Sequence, residues 1–272
     1  GIDFIPAKHW TVLFGHHFAG IAGAGPILGP VLAAAAWGWL PALLWIIIGT
    51  VFIGSVHDFS ALMTSVRQKG KSIAEVADEV MGRRVKLIIG AFIWLSLILV
   101  VAVFAAATAN TLVIEPKVVI PTFGLIAVAI IVGLLIYRWK INQILATVIG
   151  LTLLLGLLIL GYFNPLVLPL KNPVTVWIII LFVYAYVASV IPVNLLLQPR
   201  DYLSTFILFF GLLFGFMGIL LSRPEMHTPA LIRWKAAQGP LWPMLFVFVA
   251  CGAISGFHSL IASGTTSKQL SN

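Results

Sequence analysis

Runs of about twenty apolar residues, separated by short turns rich in Pro, Asn and Gly, recur along the whole chain. A helix of that length at about 1.5 Å per residue matches a hydrocarbon core of roughly 30 Å. The pattern predicts spans at residues 10–39, 41–66, 85–114, 122–137, 141–163, 174–197, 202–221 and 240–263, about eight in all. Residues 67–86 form the longest hydrophilic stretch between them. There Ser72 and Glu75 have capping-box spacing, Ile73, Val76, Ala77 and Val80 recur at helical spacing, and Gly82 is a stop signal. These signals predict a short amphipathic surface helix over 72–81. No low-complexity segment or linker interrupts the pattern, so the fold expected is an all-α polytopic helix bundle with a single transmembrane domain over 1–272. The chain opens at Gly1 without a methionine and stops at Asn272 just after a span, which reads as a fragment of a longer chain.

Composition agrees. Hydrophobic residues make up 61% and charged residues 9%, with a mean hydropathy of +1.12. A soluble domain is nearer half apolar and a quarter charged. The net charge of +8 invites a nucleic-acid partner, but the basic residues sit at span ends and form no stripe with interleaved aromatics. Alternation of the spans places Lys8, Arg67, Lys69, Lys71, Arg83, Arg84, Lys86, Arg138, Lys140, Arg200 and Lys268 on one side, eleven of the sixteen. That excess is the positive-inside signature, and it makes the lipid bilayer the expected surrounding. One cysteine, Cys251, excludes a disulfide framework.

Two spans are unlike the others. In the first, Gly20, Gly23, Gly25, Pro26, Gly29 and Pro30 crowd eleven residues, which predicts an unwound helix. Half-helix ends offer free backbone N–H and C=O groups, so Gly23, Ala24 and Gly25 are candidates for holding a substrate carboxylate. The last span carries Ser255, Ser259 and Ser263 every four residues, one hydroxyl face that Thr265 follows. It runs opposite to the first, and each has a Gly-x-His, at Gly15–His17 and Gly256–His258. Such a pair is what an inverted repeat would leave behind. In the sixth span, Pro192 should kink the helix, and Asn194 and Gln198 share a helical face. Arg200 and Asp201 then form a clamp between helices, or a gate.

Ionisable residues at membrane depth cost roughly 2.5–3.5 kcal/mol each and therefore mark function or bracing. Of eight acids, Asp58 alone falls well inside a span. His16, His17, His57 and His258 lie within or beside spans, and imidazole suits a proton relay. Neighbouring residues on a helix differ by about 100°, so one member at most of His16–His17 or His57–Asp58 should face a given cavity. The candidates for proton coupling are Asp58, His57, His17 and His258. The candidates for substrate binding are His16, Gly23, Ala24, Gly25, Asn194, Gln198, Ser255, Ser259, Ser263 and Thr265. No His-x3-His spacing, nucleotide loop or nucleophile elbow is present. The chain therefore reads as a non-enzyme without a cofactor, with an intramembrane carboxylate of the kind a proton- or sodium-coupled carrier needs.

Four strings carry a family likeness: Gly15-His16-His17-Phe18-Ala19-Gly20-Ile21-Ala22-Gly23-Ala24-Gly25-Pro26, Val56-His57-Asp58-Phe59, Leu197-Gln198-Pro199-Arg200-Asp201-Tyr202, and Ser255-Gly256-Phe257-His258-Ser259 through Ser263-Gly264-Thr265-Thr266. They resemble the carbon starvation protein CstA family of bacterial and archaeal membrane transporters, in the family's order and across essentially the whole chain. The resemblance implies an inner-membrane carrier for small nutrients during carbon starvation, usually peptides, with pyruvate imported by some relatives. It also implies uptake driven by a proton gradient, and a distant relation to amino-acid/polyamine/cation carriers with broken helices. The expectation is a symporter with a small-molecule substrate, compatible with a homo-oligomer. Two other classes fit the same residues: a membrane metalloprotein or enzyme using the intramembrane histidines and Asp58, and a non-transporting membrane subunit.

Overall fold

Where the apolar runs are uninterrupted, the chain forms long helices, because each backbone N–H and C=O then finds its partner within the segment. The computed structural model describes residues 5–270. Among them, seven helical segments are long and apolar enough to cross a membrane. The sequence reads as one domain, but the helices group into two compact units. One holds the described residues up to His16 with Leu87–Phe206; the other holds His17–Lys86 and the chain from Ile207. Helix α1 (Trp10–Ile21), helix α6 (Arg83–Ile114) and helix α10 (Leu197–Ser222) each contribute residues to both.

In the first unit, α6 is followed by a 3-10 turn at Pro116–Val118 and by α7 (Val119–Gly133), which ends in a π turn over Leu134–Arg138. Lys8 donates from Nζ to the carbonyls of Ile136 (3.2 Å) and Ile141 (3.5 Å), satisfying acceptors where that helix ends. Helix α8 (Gln143–Phe163) starts at Asn142, whose side chain accepts from the Ile144 N–H at 2.9 Å. Val128, Val132, Leu135 and Ile136 pack with Ala146 and Leu203 into one core cluster, and Ala109, Leu112, Val119 and Trp177 form another.

Helix α9 (Pro173–Val190) stops seven residues before the predicted end at 197. Ile191 precedes Pro192 and is extended (φ −71°, ψ 138°), as the proline ring requires of its predecessor. The proline thus ends the helix where a kink was expected. Asn194 falls in the turn before α10 while Gln198 lies in its first turn, so the two do not share a helical face.

In the second unit, the predicted interruption of the first span is real but narrow. Helix α1 ends at Ile21, Ala22 and Gly23 bridge, and α2 runs over Ala24–Trp37. Pro26 sits in the first turn, where no N–H is needed, and α2 continues through Pro30. The second span also differs from a plain helix: α3 (Trp39–Gly49) passes through a π segment at Thr50–Gly54 into α4 (Ser55–Arg67). The Thr50 carbonyl accepts the Ser55 N–H across the widened turn and also the Ser55 hydroxyl at 2.7 Å.

The expected continuous span at 240–263 is the largest correction. It follows a two-residue hairpin, β1 (Lys235–Ala236) with β2 (Gly239–Pro240), and divides into α11 (Leu241–Phe248), α12 (Ala250–Ala253) and α13 (Gly256–Gly264), then a 3-10 turn at Thr266–Gln269. The breaks fall at Val249 and at Ile254–Ser255, in a run of small residues with weak helix preference. There the chain packs backbone to backbone: the Phe248 and Ala253 carbonyl oxygens occupy the places that a Cβ on Gly29 or Gly54 would take. Ala33, Ala36, Trp37, Ala42, Leu245, Val249 and Ala253 form the core around these contacts.

Ser65, fully buried on α4, lies within hydrogen-bonding distance of the Lys71 carbonyl (2.7 Å), the Ser263 carbonyl (2.9 Å) and the Ser267 hydroxyl (2.9 Å). This knot pins α4 to α13. Beside it, α5 (Ile73–Met81) is the predicted surface helix, with its capping box formed. Lys71 pairs with Glu79, and Lys86 with Asp78 at 2.8 Å.

Two predictions follow from this packing. Gly54→Ala must push Ala253 aside, an overpacking cost of about 1–3 kcal/mol, so its melting temperature in detergent falls. Gly90→Ala on α6 meets nothing within 4 Å and should melt like the parent. The second concerns pH. The Ser72 N–H and then the Ser72 hydroxyl hold the Glu75 carboxyl below the usual carboxylate range. A carboxyl depressed in the folded state adds stability above its unfolded pKa and loses it as pH falls through the folded value. Amide-exchange protection of α5 should therefore decline in acid, and Glu75→Gln should flatten that decline.

Candidate functional site

The start of α4 carries His57 and Asp58 one turn beyond the π segment, and α13 packs against it with His258 and Ser259 near its own start. The Ser259 hydroxyl donates to Asp58 Oδ1 at 3.1 Å and lies 2.6 Å from His57 Nδ1. His57 Nδ1 is 2.9 Å from Asp58 Oδ1, and His258 Nδ1 is 3.6 Å from Asp58 Oδ2. The Asp58 carboxylate is thus flanked by two imidazoles and a hydroxyl. His57 Nε2 and His258 Nε2 are both buried without a hydrogen-bond partner among the described residues.

The expectation that His57 and Asp58 could not share a site is overturned. Their Cβ atoms diverge around the helix, but both side chains are long enough to turn back onto Ser259. His16 and His17 behave as expected: His16 meets Asp201, while His17 Nδ1 lies 2.7 Å from the Thr266 hydroxyl. Thr266, which the sequence did not single out, takes that contact; Thr265 is the C-cap of α13. Within the serine stripe, Ser255 is the N-cap of α13 and Ser263 donates to the Ser259 carbonyl at 2.8 Å. Only Ser259 reaches the carboxylate.

Gly23 precedes the first turn of α2 as its N-cap (φ −83°, ψ −167°), with no side chain capping the helix. A Cβ on Gly23 would meet nothing within 4 Å. The N–H groups of Ala24 and Gly25 lie in the first turn beyond it, where α-helical donors have no partner within the helix.

In the first unit, Asp201 is buried and its two oxygens are divided. His16 Nδ1 lies 2.8 Å from Oδ2, while Arg200 donates to Oδ1 from Nε (2.8 Å) and from its NH2 nitrogen (2.6 Å). The other guanidinium nitrogen donates to the Tyr184 hydroxyl at 2.7 Å. Through these contacts Arg200 and Asp201 tie α10 to α1 and α9. The Thr205 hydroxyl, 2.8 Å from both the Gly15 and Asp201 carbonyls, closes the same junction. Gln198 is fully buried and accepts from the Tyr137 hydroxyl at 2.6 Å, while Asn194 stays in the preceding turn.

A cavity of about 530 Å³ lies in the first unit and contains none of the predicted site residues. Gln143 donates to Thr11 at 2.8 Å along its wall, and Thr147 and Tyr202 share a hydrogen bond of 2.9 Å. The signal available was the presence of Thr11, Gln143 and Thr147 at the ends of apolar runs. Among the described residues, no group of three or more His, Cys, Asp or Glu side chains is arranged to hold a metal ion.

Comparison with known proteins follows these observations. The model of the family described as carbon starvation protein CstA matches residues 1–272. The chain is 39% identical over 288 residues to the pyruvate/proton symporter BtsT of Escherichia coli (strain K12), covering all of this chain and 39% of that protein. It is 40% identical over 283 residues to the peptide transporter CstA of the same strain, again covering all of this chain and 40% of that protein. It is 38% identical to the peptide transporter CstA of Bacillus subtilis (strain 168), covering 99% of this chain and 46% of that one. The chain thus spans about two-fifths of the length of these relatives. No solved structure matches it significantly. Its seven membrane-length helices and these relatives make it a multi-pass protein of the inner membrane. With the family model matched from end to end, the chain belongs to the carbon starvation protein CstA family.

Proposed function

We propose that the chain is part of a secondary carrier that imports small nutrients with protons, peptides foremost and pyruvate second, when carbon is scarce. Its work is transport and not catalysis, with no cofactor beyond the coupling proton. The observation that carries the reading is Asp58, held between His57, His258 and Ser259. A carboxylate at membrane depth is costly when charged and unpaired, and it is relieved by protonation or by a protonated imidazole. The cluster brings a carboxylate and two imidazoles together, so a proton can pass among them with little change in position. His17, held by Thr266, stands in the same unit as a further proton acceptor. The uncapped start of α2 at Gly23, Ala24 and Gly25 offers backbone donors for a substrate carboxylate, with Ser255, Ser263 and Thr265 supplying polar groups from α13.

The relatives named above as a pyruvate/proton symporter and as peptide transporters support this class. The full-length protein in vesicles with an imposed pH gradient tests it. Asp58→Asn should lower proton-driven accumulation by roughly tenfold or more while leaving substrate exchange measurable. Undiminished accumulation would remove Asp58 from the coupling role. Competition of labelled pyruvate against dipeptides decides the substrate class, with dipeptides expected to compete more strongly.

A further inference from the structure

The first unit has a histidine–carboxylate pair of its own, outside the Asp58 cluster. His16 on α1 is 6% exposed, and Asp201 on α10 is equally buried. His16 Nδ1 and Asp201 Oδ2 are 2.8 Å apart. An ionised carboxylate only accepts, so Nδ1 carries the hydrogen, and the exchangeable site of the ring is Nε2. That nitrogen is buried and has no hydrogen-bond partner among the described residues. In the neutral ring it is a lone pair facing no donor. In the charged ring it is an N–H facing no acceptor, but the ring's charge is then matched by the carboxylate at Nδ1.

The groups facing the pair from the surrounding helices are few. From α10 come Arg200, which occupies Asp201 Oδ1, and Thr205, which bonds the Gly15 and Asp201 carbonyls. From α9 comes Tyr184, which accepts the remaining guanidinium hydrogen bond. Arg200 is committed to Asp201 and Tyr184, which leaves Asp201 Oδ2 to His16. Asp201 faces Arg200 at one oxygen and His16 at the other, so a proton on His16 Nε2 adds charge beside the carboxylate without breaking any of these hydrogen bonds.

We infer that His16 is a second proton-binding site, loading at Nε2, with Asp201 as its positioning residue and Arg200 and Tyr184 holding Asp201 in place. It rests on the proton-symport reading above and adds to it: each compact unit holds one histidine–aspartate site, so two protons accompany each substrate. This also gives His16 a different part from the substrate contact that its place beside the glycine-rich segment suggested.

The experiment uses the full-length protein in proteoliposomes, with membrane potential clamped to zero and labelled pyruvate or dipeptide as the transported probe. The pH gradient that halts net flux against a fixed substrate gradient gives the proton-to-substrate ratio. A ratio of two is expected. A ratio of one overturns the second site and leaves the Asp58 reading standing, whereas flux indifferent to the pH gradient overturns that reading itself. His16→Gln should drop the ratio to one, so that about twice the pH gradient is needed to halt flux. An unchanged ratio in His16→Gln overturns the assignment. Asp201→Asn, which keeps an acceptor for Nδ1–H but removes the balancing charge, should give the same drop while substrate exchange persists. A purely structural role for Asp201 would lower exchange and leave the ratio at two, which also overturns the inference.

Discussion

Within a bilayer no water is available to complete a broken hydrogen bond, and this single constraint organises the rest of the structure. Long helices are its default solution. Every departure from them must be answered by another group, and here the answers are visible. Ser55 takes the Thr50 carbonyl beside the π segment, and Lys8 takes carbonyls past the end of α7. Ser65 joins α4 to the carbonyl of Ser263, and Thr205 bonds the Gly15 carbonyl. At Gly29 and Gly54 the answer is steric, since the absent side chains let carbonyls of the broken last span pack directly against α2 and α4.

The ionisable residues follow the same breaks. Asp58 lies in the first turn of α4 just past the π segment, His258 in the first turn of α13 after Ile254–Ser255, and Asp201 near the start of α10 after the Pro192 turn. At Asp58 the backbone stays helical through the π segment, with the Ser55 N–H bonded to the Thr50 carbonyl, so the carboxylate is answered by side chains: His57, His258 and Ser259. These residues lie beside departures from regular helix, where a neighbouring helix passes close enough to supply such partners.

Pairing does the remainder. Neither aspartate stands alone: half-buried Asp58 has two imidazoles and a hydroxyl, and buried Asp201 has an imidazole and a guanidinium. Removing one partner from a buried ion pair is far costlier than the pair is favourable, so such clusters are rigid in composition.

The amino-acid sequence alone determined much of this. Apolar run length set the membrane helices, because span length is dictated by bilayer thickness. Ser72, Glu75 and Gly82 set the surface helix, because capping is local. The glycine- and histidine-rich strings carried the family. Tertiary structure decided what depends on neighbours. It divided the last span into three helices, placed the π segment before α4 and sorted the helices into two units. It also chose partners: Ser259 for Asp58, Thr266 and not Thr265 for His17, and Asp201 for His16. Helical spacing gives the direction in which a Cβ leaves its own helix. Which side chain it meets depends on where another helix passes, and that is settled only by packing over the whole unit.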